Sequence, residues 1–244
     1  MRAVITGGTR GIGLSAAEAL GKAGYDIIIT GIDNEAAKTA LEELKSQGIN
    51  AEYIYADSMN EEDVNKCFKY IEEKYGSLDV LVNNVGGLGG RQRFEEMETS
   101  FMRRVMALNF DSAFFASRAA IPMLKKGEHP SIINYSTIAV TSGGGPGAGI
   151  YSASKAAIEG LTRALAKDLA EYGIRVNAVS PGTIDTEFHA ATKREIMETW
   201  KSGIVMKRFG EASEVASVIE FLASEKASFL TGEIIQINGG QAFI

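Results

Sequence analysis

AVITGGTRGIG, residues 3–13, decides how the rest of the chain is read. AVIT is a short apolar run that suits a buried strand, and TGGTRGIG (6–13) leads from it into an amphipathic pattern over 11–23. Gly7, Gly11 and Gly13 free the backbone for a tight turn and for close approach to a ligand. The helix that follows presents unpaired N–H groups and the positive end of its dipole, which suits a pyrophosphate. A purely structural turn fits a lone glycine cluster equally well. Gly11, Gly13 and Ala16 match G-x-G-x-x-A, the common dinucleotide fingerprint. The strand ends near Thr6, however, so the turn begins at Gly7 and the spacing is the longer G-x-x-x-G-x-G.

Six more apolar runs follow: DIIIT (26–30), AEYIYA (51–56), LDVLVN (78–83), SIINYS (131–136), IRVNAVS (174–180) and EIIQI (233–237). Several are apolar on successive residues, as strands covered on both faces require. Helical patterns lie between them at 11–23, 34–47, 60–75, 97–126, 151–172, about 189–201, and 211–223. Asn34, Asn60 and Ser213 stand near helix starts, and Gly24, Gly48, Gly76 and Gly173 just past helix ends. Strict alternation predicts an α/β fold: a doubly wound, seven-stranded parallel sheet with helices on both faces. No Pro/Ser-rich linker or internal repeat divides the chain, so 1–244 reads as a single domain, with a substrate lid at about 185–206. Ligands of such sheets bind beyond the carboxyl ends of the strands, where the informative residues should stand.

Composition sets outer limits. The 244 residues are 45% apolar and 23% charged, ordinary for a globular protein able to bury a sizeable core. A net charge of −6 without any basic block argues against nucleic acid or an anionic membrane as the partner. Cys67 is the only cysteine, so no intrachain disulfide forms; it reads as a buried small hydrophobe in a helix. The N-terminus runs straight into a strand with no signal-peptide pattern, and the expectation is a cytoplasmic protein. His129 and His189 lack clustered partners at ligand spacing, and no metal site is expected.

YSASK, 151–155, carries the chemistry. Tyr151 and Lys155 stand at i and i+4 and share a helix face. A free tyrosine titrates near pH 10, and lowering that by two to three units takes roughly 3–4 kcal/mol of differential interaction. A nearby ammonium can supply much of it and make the phenol a proton donor. Read alone, the pair could equally be two surface residues.

In company it is more telling. TGGTRGIG, Asp57 after the third strand, NNVG (83–86), Asn109, the Ser136-Thr137 pair, YSASK, SPGTIDT (180–186) and the closing FLASEKASFLTGEIIQINGG occur in order, each at the end of an element. Nearly the whole chain thereby resembles the classical short-chain dehydrogenase/reductase family, most like its 3-oxoacyl-acyl-carrier-protein reductase branch. The resemblance implies a Rossmann-type fold and hydride transfer between a nicotinamide and a carbonyl or secondary alcohol. Tyr151 would move the proton, and Lys155 would also bond the nicotinamide ribose. The family's carbonyl-binding serine falls on Thr137, with Ser136 kept beside it. Asn109 would mark a helix distortion whose freed carbonyl binds a water linked to Lys155; a satisfied core amide is the plainer alternative.

The resemblance likewise implies cofactor contacts. Gly7, Thr9, Arg10, Gly11, Ile12 and Gly13 would cradle the phosphates. Asp57, with Ser58, would meet the adenine, or Asp57 would only cap the next helix. Asn83, Asn84, Val85 and Gly86 would approach the adenosine ribose and brace the central strand, with Val85 standing where the family usually has alanine. Pro181, Gly182, Ile184 and Thr186 would hold the carboxamide and pyrophosphate. Gly31 occupies the position where NAD-dependent members tend to place an acid, which with Arg10 favours NADP over NAD; Asp33 is an opposing signal.

Phe188, Met197, Trp200, Ile204 and Met206 could cover a substrate or pack on a neighbour. Arg91 and Arg93 could meet an acidic substrate or carrier protein, or be a solvated basic face. A sugar or polyol dehydrogenase and a non-catalytic dinucleotide sensor are the alternatives. A homotetramer is expected, pairing the helices at 97–126 and 151–172.

Overall fold

The computed structural model describes residues 1–186 and 194–243. The seven apolar runs form β1 (Arg2–Thr6), β2 (Asp26–Gly31), β3 (Ala51–Tyr55), β4 (Val80–Asn83), β5 (Ser131–Tyr135), β6 (Arg175–Pro181) and β7 (Ile234–Ile237). They make one sheet in the order 3-2-1-4-5-6-7, with every neighbouring pair parallel. The strands are apolar on both faces because both are covered. Ile5, Ile27, Ile29, Val82, Ile133 and Val179 pack on one side, and Val4, Ile28, Leu81, Ile132 and Val176 on the other.

The first side is closed by α1 (Gly11–Lys22), α2 (Asn34–Ser46) and α9 (Ala212–Ala223) through Ala16, Leu20, Leu44, Val215 and Ile219. The second is closed by α3 (Glu61–Tyr75), α5 (Ser112–Leu124) and α7 (Gly149–Asp168) through Val64, Phe68, Ile71, Ala116, Ala120 and Ala166. Between them in sequence stand α4 (Thr99–Met106), α6 (Ala139–Ser142) and α8 (Arg194–Gly203).

Local chemistry sets the boundaries. Asp33 caps α2 by accepting the Ala36 N–H at 3.0 Å, and Asn60 caps α3 by accepting that of Glu62 at 2.9 Å. Gly76 ends α3 at φ +76°, a conformation that disfavours side chains. The helix predicted over 97–126 is interrupted: α4 and α5 are joined by a π turn at Ala107–Asp111. The predicted helix at 151–172 begins earlier, at Gly149, so Tyr151 lies in its first turn. α6 was not anticipated; its four residues are too few to show a period.

The strand order reverses between β1 and β4. Their carboxyl ends carry the glycine loop and the segment NNVG, so the topological crevice lies there.

Candidate active site

Missing side chains shape the loop after β1. Gly7 and Gly11 have φ of +63° and +55°. A Cβ on Gly13 would stand 2.5 Å from the Gly7 carbonyl oxygen and 2.5 Å from Asn84 Nδ2, so α1 can approach the loop only with glycine there. Gly8, which the sequence reading did not single out, lies on β2: a Cβ would meet Ile29 Cγ2 at 2.6 Å. Asn84 locks the turn by donating to the carbonyls of Thr6 at 3.0 Å and Gly7 at 2.9 Å. Val85 packs its methyl on Gly7, filling the place an alanine would leave open. Arg10, at the N-cap of α1, gives its first N–H groups no side-chain cap, and these groups suit an anionic ligand. Ile12 anchors that turn in the core, and Thr9 is buried against Gly31.

At the far end of this loop Arg10 and Asp33 form an ion pair. The Ala36 N–H and Arg10 hold the Asp33 carboxyl below the usual carboxylate range. The two opposing cofactor signals in the sequence are thus each other's partners.

The exit of β5 and the start of α7 meet in a set of short contacts. Lys155 is buried and donates from Nζ to the Tyr135 carbonyl at 2.9 Å. The Thr137 hydroxyl stands near enough to the Tyr151 phenol to lower its pKa, and its Oγ1 accepts the Ala139 N–H at 3.3 Å. Ser136, although adjacent, turns the other way: its Oγ donates to Glu159 Oε1 at 2.7 Å. Of the two candidate hydroxyls, only Thr137 faces Tyr151. Gly86 lies against Lys155, where a Cβ would come within 2.8 Å of both Nζ and Asn109 Oδ1.

Asn109 is fully buried in the π turn. Its Oδ1 accepts the Gly87 N–H at 2.9 Å, and its Nδ2 donates to the carbonyls of Gly87 at 2.9 Å and Val105 at 3.0 Å. The side chain is a fully used amide that pins the loop after β4, as the plainer sequence reading had it, and the helix is distorted at that residue.

The electrostatics differ from the sequence expectation. Burial pushes the Tyr151 phenol up rather than down, and only the Thr137 bond opposes it. Burial also lowers the Lys155 ammonium to about 8. For each group desolvation of the charged form is the largest influence.

The remaining predicted residues divide. The Asn83 side chain braces the central strand: its Nδ2 donates to Ser117 Oγ and Asn134 Oδ1, each at 2.8 Å, inside the sheet–helix layer. Adjacent strand residues face opposite ways, so Asn84 rather than Asn83 reaches the crevice. Asp57 does not cap α3; it accepts the Met59 N–H at 2.9 Å, and Asn60 does the capping. Ser58 is buried beside it. Pro181 ends β6, and the Gly182 N–H donates to the Ile237 carbonyl at 2.9 Å. Ile184 is buried by its side chain, leaving only its backbone for a ligand, and Thr186 is partly exposed. Phe188 and His189 lie outside the described residues.

Sequence reasoning missed Glu159, the Tyr135 carbonyl and Gln241. Gln241 accepts the Thr183 N–H at 2.9 Å and so braces the turn after β6. A backbone acceptor has no sequence signal; Glu159, one helical turn beyond Lys155, had one. No described helix is long and apolar enough to cross a membrane.

These residues fit a dinucleotide: a glycine cradle, a helix start without a side-chain cap at the switch point, and beyond it a buried lysine and a half-buried tyrosine. Comparison with known proteins agrees. A family profile described as Enoyl-(Acyl carrier protein) reductase matches residues 7–242. The chain is 38% identical to the 3-oxoacyl-[acyl-carrier-protein] reductase of Aquifex aeolicus over 238 residues, covering 97% of this chain and 95% of that one. A Brucella melitensis structure described as a short-chain dehydrogenase/reductase, glucose/ribitol dehydrogenase, superposes with a TM-score of 0.92 at 34% identity, over 100% and 97% of the two chains. A Burkholderia cenocepacia short-chain dehydrogenase solved in complex with NADP gives 0.91 at 32%, over 98% and 97%. The protein is an NAD(P)-dependent oxidoreductase and belongs to the short-chain dehydrogenase/reductase family.

Proposed function

We propose that the protein reduces a ketone to a secondary alcohol with NADPH, and that its substrate is a 3-oxoacyl thioester borne by acyl-carrier protein. One observation carries the chemistry: Tyr151 and Lys155 stand one turn apart on α7, and Lys155 is anchored by the Tyr135 carbonyl, two residues before the Thr137 hydroxyl that faces the phenol. Bound dihydronicotinamide supplies the hydride. Thr137 steadies the Tyr151 phenol, and Tyr151 gives its proton to the oxygen that gains charge. The raised phenol pKa keeps that proton in place until the oxygen becomes basic. With Lys155 at about 8, its ammonium is charged at neutral pH and stabilises the phenolate left behind. Asn109 holds Gly87 by two hydrogen bonds, and Gly86 beside it lies against Lys155.

The thioester reading is supported by the relative from Aquifex aeolicus. The Brucella melitensis structure, named for glucose and ribitol, favours a sugar or polyol as the second reading. NADP is supported by Gly31, which offers a 2′-phosphate no acid, and by Arg10, which can exchange Asp33 for a phosphate. We assign the segment 185–206 as a substrate lid on the single domain. A homotetramer pairing α4–α5 and α7 accounts for the exposed Phe114.

The test follows reduced-nicotinamide absorbance with acetoacetyl thioesters, simple ketones, sugars and polyols. Thioester turnover with NADPH is expected to exceed that with NADH by about tenfold or more, with Tyr151→Phe lowering kcat by at least about 10². Preference for a sugar moves the assignment to the second reading. Dinucleotide binding without turnover on any substrate overturns the reductase in favour of a sensor.

A further inference from the structure

Three consecutive residues leaving β5 each engage α7. The Tyr135 carbonyl accepts from the Lys155 ammonium, Ser136 donates to Glu159, and the Thr137 hydroxyl faces the Tyr151 phenol and lowers its pKa. The first and last rungs belong to the proton-transfer group. The middle one has no place in it, yet it is built with care. Ser136 is 4% exposed, its N–H donates to the Val179 carbonyl at 2.8 Å, and its Oγ meets Glu159 Oε1 at 2.7 Å. It is therefore pinned from β6 on one side and from α7 on the other. The Glu159 side chain is only 17% exposed, and its second oxygen stands 3.8 Å from the Arg163 guanidinium. A mostly enclosed carboxylate facing a strand end is expensive unless its bonds are needed. An alanine and a leucine would cover the same surface without that expense.

We infer that Glu159 is a positioning residue: by holding Ser136 it fixes the backbone at the exit of β5 so that the Thr137 hydroxyl is aimed at Tyr151. The inference rests on Thr137 and Tyr151 working as the proton-transfer pair. The Ile138 N–H ties the chain beyond Thr137 to the Pro181 carbonyl at 3.0 Å, so the motion left for the Ser136–Glu159 bond to oppose is a tilt of the 136–137 peptide plane about ψ of Ser136 and φ of Thr137. Tyr135 cannot prevent it, because its side chain packs in the opposite core. Loosening that joint leaves the dinucleotide crevice untouched, since the glycine loop is held from β2 and Asn84. It does weaken the one contact that lowers the phenol's pKa.

The experiment uses the full chain with acetoacetyl-coenzyme A and NADPH, and the matching 3-hydroxyacyl thioester with NADP for the reverse direction. Ser136→Ala and Glu159→Ala are each expected to lower kcat about tenfold, and the double variant no further than either. NADPH affinity by calorimetry should stay within about twofold of wild type. Glu159→Gln keeps an acceptor for Ser136 and should restore kcat to within about twofold. In alcohol oxidation, where Tyr151 must first lose its proton, the alkaline midpoint should rise by about half a pH unit in the alanine variants but not in Glu159→Gln.

Wild-type kcat in Glu159→Ala, multiplying losses in the double variant, equal damage from glutamine, or an unmoved midpoint each overturns the brace alone. A wild-type protein inert on every substrate overturns both the brace and the reductase. Should Glu159→Ala fail to fold, Ser136→Ala and Glu159→Gln decide the matter by the same criteria.

Discussion

Lys155→Met should make the protein more stable while abolishing its turnover. The ammonium is 4% exposed, and burial lowers it from 10.5 to about 8. At about 1.4 kcal/mol per unit, the charged form costs the fold about 3 kcal/mol at neutral pH. Methionine fills the same channel without charge. It also leaves the Tyr135 carbonyl without its donor at 2.9 Å, which returns about 1–2 kcal/mol of that gain. A net stabilisation of about 1–2 kcal/mol follows at pH 7.

The sign of its pH dependence is specific. Below pH 8 lysine is charged in both states, and the folded state carries the whole penalty. Between about 8 and 10.5 the folded protein releases the proton first, so wild-type stability rises with pH while the Met variant lacks this rise. The gap between the two should therefore shrink from pH 7 to pH 10. Urea unfolding of both proteins at pH 7, 8.5 and 10, at one fixed protomer concentration and without dinucleotide, measures it. A Met variant less stable than wild type at pH 7, or a gap independent of pH, refutes the claim that desolvation governs this lysine.

Two further outcomes test the geometry elsewhere. Gly13→Ala should weaken dinucleotide binding at least about tenfold and destabilise the fold by about 1–3 kcal/mol, because its methyl would meet the Gly7 oxygen and Asn84 at 2.5 Å; calorimetry and urea unfolding report both. The buried Tyr135 hydroxyl has no partner among the described residues, and burial holds its pKa well above the usual tyrosine value. Tyr135→Phe should accordingly unfold at the same or a higher urea concentration, by up to about 1 kcal/mol, and a loss beyond that would reveal a bond to the hydroxyl.

The fold was legible because its signals are local and periodic. Each strand is a short run too apolar to be half exposed, and the turn at Gly7 follows from where AVIT must end. The site was legible down to the loop but not always to the residue. Asn83 and Asn84, and Ser136 and Thr137, are neighbours of similar chemistry, and only backbone parity says which faces the crevice. The phenol's pKa went the other way because a sequence shows the charge one turn off and hides the water that packing removes. Glu159 escaped notice for a related reason: its partner lies 23 residues back in the chain.

The ladder between β5 and α7 separates two jobs that evolution usually has to adjust together. The glycine-rich run from Gly143 to Gly149 bridges α6 and α7, with Gly143, Gly144 and Gly147 all at positive φ. It packs on Arg91 and Phe94 at the mouth rather than on the sheet. The reactive hydroxyls are secured from underneath. Changes confined to the 143–149 run would therefore leave the β5–α7 contacts of Tyr135 and Ser136 in place.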